Sequence, residues 1–139
     1  LYTVQSTKII PGVRNYASID GGMNDNPRYA LYRARHEILA ATKLDRPAER
    51  LWSISGRCCE SGDMLGHDVA LPDLEPGDIV AVMSTGAYTQ SMASNYNRVP
   101  RPAVVLAGPG GVEPIVERES LDDIVRLDRI PSWLEETSE

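Results

Sequence analysis

Three Pro-Gly dipeptides, at 11–12, 76–77 and 109–110, each stand beside a short run of β-branched and apolar residues. Proline fixes φ and lacks an N–H, and glycine reaches positive φ, so such pairs end one segment and turn the chain into the next. A chain punctuated in this way favours short strands over long helices. "YTVQSTKII" (2–10) alternates and is rich in β-branched types, which reads as a strand, with "NYASID" (15–20) as its hairpin partner. "LWSISGR" (51–57) and "DIVAVMS" (78–84) read the same way, the second entered through Pro76-Gly77-Asp78. "PAVVLAG" (102–108) and "VEPIVE" (112–117) form a hairpin around Pro109-Gly110-Gly111.

Two helices interrupt this pattern. After the loop "GGMNDNP" (21–27), Asn26 suits an N-cap and Pro27 a first helical position. A helix over roughly 28–42 then places Leu31, Ala34, Ile38 and Ala41 on one apolar stripe. Ser120 with Asp123 three residues on gives a capped short helix over 121–127. "PSWLEETSE" (131–139) reads as an acidic tail. The fold expected is mainly β: about six strands in a barrel or sandwich, with one longer and one short helix.

Charge and cysteine use narrow the function classes. The 139 residues suffice for one domain with a core, and the net charge of −6 disfavours a nucleic-acid surface. No run approaches the ~18 apolar residues of a membrane span. The start "LYTVQSTKII" has no basic stretch and no small-residue cleavage site, so no signal peptide is expected. The two cysteines, Cys58 and Cys59, are adjacent, where an ordinary disulfide is sterically awkward. A reduced, cytoplasmic protein is the expectation.

Three constellations could carry chemistry. In "SGRCCESGDML" (55–65), Cys59 stands beside Glu60 and near Asp63. A thiol next to a negative charge stays protonated and can serve as an acid, although free cysteines more often pack as small apolar residues. A metal reading through Cys59, Asp63, His67 and Asp68 lacks a second Cys or His pair at zinc spacing. Arg28 and Tyr32, at i and i+4, share a helix face and could hold a carboxylate or form an exposed cation–π pair. The segment 85–102 would place Tyr88 on a turn after a strand, as a ligand loop or as plain surface. "GPGG" (108–111) lacks the lysine and following helix of a phosphate loop.

Taken in order, "DGGMND…R…LY" (20–32), "CESGD" (59–63), "PGD" (76–78) and "GAY…SMASNYN…RP" (86–102) resemble the C-terminal domain of diaminopimelate decarboxylase. That family uses pyridoxal phosphate and is related to ornithine and arginine decarboxylases and to alanine racemase. The resemblance implies a Greek-key β-barrel domain over residues 1–130 followed by the tail 131–139. It also implies an N-terminal (β/α)₈ barrel, absent from this sequence, that carries the cofactor lysine; Lys8 and Lys43 match no such motif. Cys59 would be the acid that protonates the α-carbon in a site shared across a homodimer. Glu60 would hold the substrate's distal ammonium, Arg28 and Tyr32 its distal carboxylate, and Tyr88 would touch cofactor and substrate. Glutamate at 60 favours diaminopimelate, since the ornithine and arginine enzymes usually have aspartate after the cysteine. In the family, proline often follows the arginine of the "RPALY" motif; here Tyr29 follows Arg28 and the proline is Pro27. The alternatives are a related decarboxylase of the ornithine, arginine or carboxynorspermidine type, or a free-standing β-barrel module without catalysis.

Overall fold

The computed structural model describes residues 1–134, which form two compact units, one over Leu1–Asn97 and one from Arg98 onward. The first holds β1 (Tyr2–Ile10), β2 (Arg14–Ile19), α1 (Arg28–Tyr32), β3 (Ile38–Ala40), β4 (Arg50–Ser55), β5 (Met64–Leu71), β6 (Ile79–Val82) and α2 (Gly86–Met92). A 3₁₀ turn at Tyr96–Arg98 begins in its last residues. The second holds the hairpin β7 (Val104–Gly108) and β8 (Gly111–Val116), α3 (Leu121–Val125) and a 3₁₀ turn at Ser132–Leu134.

In the first unit the strands lie in the order β3-β6-β1-β2-β4-β5, antiparallel except for the parallel pair β2–β4. The sheet curls until its edges approach: a Cβ on Gly66 of β5 would lie 3.1 Å from Ile38 Cδ1 of β3. A nearly closed barrel results, and closure protects strand edges that would otherwise invite pairing with other chains. Period-two alternation sends Val4, Ile19, Trp52, Ile54 and Val80 into the barrel, each almost wholly buried. Trp52 fills the centre and its indole N–H donates to the Pro72 carbonyl at 3.0 Å, so the largest core side chain leaves no polar atom unpaired.

The mainly-β expectation is borne out, but the expected long helix is not there. It stops at Arg33, which is left-handed (φ 55°), and the N–H groups of Arg33 and Ala34 fold back onto the carbonyls of Tyr29 and Arg28. Ile38 then enters the core from β3, paired with Val82 of β6. Pairing with β6 outweighed a helical stripe that local periodicity alone supported. Asn26 does not cap α1: Pro27 takes that position, no side chain caps it, and Asn26 is buried. β3 and β5 are strands the sequence reading lacked, one being too short for a pattern and the other broken in its alternation by Asp68 (φ 54°). The region around Tyr88 is a helix rather than a turn, and at seven residues it is the longest among the described residues. The Ser120–Asp123 capping box formed as expected, over a helix two residues shorter. Of the expected tail, 131–134 contains the second 3₁₀ turn and 135–139 lie outside the described residues.

Candidate active site

A buried carboxylate organises the site. Asp63, 2% exposed, accepts the Met23 N–H on one oxygen and the Cys58 N–H on the other, both at 2.7 Å. Its backbone carbonyl takes the Gly56 N–H at 2.8 Å, and the Arg57 N–H reaches the Gly21 carbonyl at 2.9 Å. The carboxylate fits because its neighbours lack side chains: a Cβ on Gly22 or Gly56 would stand 2.5 or 2.2 Å from its oxygens. The "DGG" loop and the "SGRCCESGD" turn are therefore one interlocked unit, held by charge-assisted bonds that are shorter and stronger than neutral ones.

This unit separates the two cysteines. Cys58 is half-buried, and its thiol donates to Asn24 Oδ1 at 3.6 Å. Burial first, then the Asp63 carboxylate, push the Cys58 thiol up, so it stays protonated. Cys59 is exposed and free, and Glu60 beside it is exposed as well.

Arg28 opens α1 and lies half-buried. Its guanidinium carbon is 5.2 Å from the ring centre of Tyr32 and 4.9 Å from that of Tyr88. Beyond α2 the chain is tied back by the Ser94 N–H to the Asn24 carbonyl at 2.8 Å. The Tyr96 hydroxyl then donates to Glu60 Oε1. One segment, 86–96, thus touches Arg28 at one end and Glu60 at the other. The structure brings Arg28, Tyr32 and Tyr88 into contact and joins Glu60 to the same segment through Tyr96. Cys59 stands exposed between Cys58 and Glu60.

Tyr96 and Asn24 were not singled out from the sequence, although both lie in the quoted motifs. Tyr96 and Glu60 are 36 positions apart, and no local spacing carries a contact of that span. The metal reading finds no support in geometry. Asp63 is committed to backbone amides, and His67 Nδ1 lies 3.4 Å from the Arg14 guanidinium and 3.3 Å from Ser53 Oγ. Among the described residues no cluster of three or more His, Cys, Asp or Glu is placed to hold a metal. Lys43 is occupied as well, its ammonium 2.8 Å from Asp78 and 3.1 Å from Glu75. No helix among the described residues is long and apolar enough to cross a membrane.

Residues 1–86 match the family described as the C-terminal sheet domain of pyridoxal-dependent decarboxylases. A diaminopimelate decarboxylase from Bacillus subtilis is 55% identical over 92% of this chain, and one from Synechocystis is 46% identical over 96%. The chain spans 29% and 28% of those two proteins. The crystal structure of diaminopimelate decarboxylase from M. jannaschii superposes with a TM-score of 0.87 at 39% identity, covering 96% of this chain and 30% of that one. A second structure of that enzyme is described as a complex with L-lysine. With the matched region spanning well over half of its length, this chain belongs to the family of pyridoxal-dependent decarboxylases, as their C-terminal sheet domain.

Proposed function

We propose that residues 1–130 are the C-terminal domain of a cytoplasmic, homodimeric diaminopimelate decarboxylase, converting meso-2,6-diaminopimelate to L-lysine and CO₂. The names of its relatives, their roughly threefold greater length and the L-lysine complex of the M. jannaschii protein support this reading. The observation that carries it is the segment 86–96, which touches a cation, Arg28, through Tyr88 and an anion, Glu60, through Tyr96.

Diaminopimelate has an amino-acid group at each end, so the end that does not react offers both a carboxylate and an ammonium. The Arg28 guanidinium carbon lies over both phenol rings, and a guanidinium held there can turn its N–H fork to a carboxylate in bidentate fashion. Glu60 supplies the counter-charge for the distal ammonium. Such a pair would reject substrates that lack either group, because a charge desolvated on binding would then go unpaired.

Pyridoxal phosphate, when bound, supplies the electron sink on which loss of the carboxylate depends. The residues present fit it at one edge. The exposed Tyr88 phenol would touch it, and the cofactor lysine and phosphate site would lie in a barrel domain outside these residues, since Lys43 is held in ion pairs and Lys8 matches no cofactor-lysine motif. Cys59 Sγ, exposed where Cys58 is not, delivers the proton to the α-carbon after CO₂ departs.

The test is Cys59→Ala in the full-length enzyme. Turnover is expected to fall ~10²–10⁴-fold, the usual contribution of a positioned acid, with cofactor absorbance retained. Cys58→Ala, a change at the thiol held by Asn24, is expected to leave turnover near wild type. The reverse pattern would move the acid to Cys58.

A further inference from the structure

We propose that Tyr96 is a positioning residue that sets the specificity of the site by fixing the Glu60 carboxylate; this rests on Glu60 as the group that holds the distal ammonium. An exposed glutamate samples many rotamers, and holding an ammonium would require freezing one of them. The Tyr96 hydroxyl donates to Oε1, which orients the carboxylate and leaves Oε2 for the ligand. The donor is dependable: the bond to Glu60, then burial and the Glu60 charge, raise the Tyr96 phenol above its ordinary range, so it keeps its proton.

The backbone around Tyr96 is itself held. Its N–H meets Ser94 Oγ at 3.4 Å, and Ser94 is tied to the Asn24 carbonyl beside the Asp63 unit. Asn97 and Arg98 follow in the left-handed region, at φ 55° and 56°. Two successive non-glycine residues there persist only where surrounding contacts over-determine them, a feature that concentrates at ligand sites. Glu60 directly follows Cys59 in the chain, so a role in proton delivery is the competing explanation, and kinetics separate the two.

The experiment compares Tyr96→Phe, Glu60→Gln and the double variant in the full-length enzyme, with diaminopimelate as substrate. Phenylalanine keeps the ring of a residue that is 41% exposed, so the fold is expected to survive, and the melting temperature checks this. Tyr96→Phe is expected to raise KM about tenfold, the scale of losing one hydrogen bond to a charged group, with kcat within about twofold. In the Glu60→Gln background it is expected to add nothing, because its effect runs through Glu60. A silent Tyr96→Phe, a fall in kcat at constant KM, or additive effects with Glu60→Gln would each overturn the proposal while leaving Glu60 in place. An unchanged KM in Glu60→Gln itself would overturn the assignment of Glu60 and this inference together.

Discussion

A guanidinium stacked on two phenols differs from an ammonium in shape as much as in charge. Arg28 carries a planar, forked guanidinium over the Tyr32 and Tyr88 rings, and lysine offers neither the plane nor the fork. In the full-length enzyme Arg28→Ala is expected to weaken the use of diaminopimelate by roughly 2–5 kcal/mol in kcat/KM, if the charge pair is desolvated on binding. Arg28→Lys is expected to recover only part of that loss. Steady-state kinetics on the two variants decides this, and unchanged values for both would point to a different substrate. The Arg28–Tyr32 pair was legible from spacing, since helix neighbours at i and i+4 meet. The Tyr88 ring was legible only as a member of a motif, because it lies sixty positions from Arg28 and the fold alone brings the two together.

Among the elements, the turn that feeds β6 shows why "PGD" is built as it is. Gly77 takes φ 96°, and Asp78 is buried against the Glu75 N–H at 2.8 Å, the Thr42 hydroxyl at 2.9 Å and the Lys43 ammonium at 2.8 Å. Burial by itself would raise the Asp78 carboxyl, but Lys43, Glu75 and Thr42 outweigh it and hold the group below the usual carboxylate range. A depressed carboxylate contributes stability that is complete above the unfolded value of about 4 and is lost as pH falls through the lower folded value. Asp78→Asn is therefore expected to be less stable than the parent at pH 7, with the gap narrowing at pH 3. Denaturant midpoints at the two pH values measure it, and a gap that widens in acid would contradict the assignment. The sequence announced the turn but not its partners, since Thr42 and Lys43 arrive from the far end of β3.

For the whole molecule, what stands out is the contrast between the two units taken separately. The first has a closed core. In the second, every residue of β8 is exposed, and so are Leu106, Leu127, Ile130 and Trp133. A two-stranded hairpin is marginally stable by itself, and large apolar side chains left in water favour association. The 139-residue chain expressed alone is expected to keep the first unit folded, with slow amide exchange in β1, β2 and β4 and faster exchange across 104–116. It is also expected to self-associate weakly, to hold no pyridoxal phosphate covalently and to decarboxylate nothing. Hydrogen exchange and cofactor absorbance test this together. Activity from the chain alone would overturn the proposed division of the site, and activity restored by a separately expressed barrel, then abolished by Cys59→Ala, would support it.

By itself the sequence determined the strand-dominated class, the turns at Pro-Gly pairs, the capped α3 and the residue types of the site. These follow from forces acting within a few residues: φ restriction, side-chain alternation and local capping. Only the tertiary structure decided that Arg33 ends α1, that Ile38 joins a strand, and that Asp63 locks two distant glycine loops together. The same holds for Tyr96 reaching Glu60. For Ile38, Asp63 and Tyr96 the deciding partner lies tens of residues away, where a backbone pairing or a buried charge outweighs a local preference of a few tenths of a kcal/mol per residue.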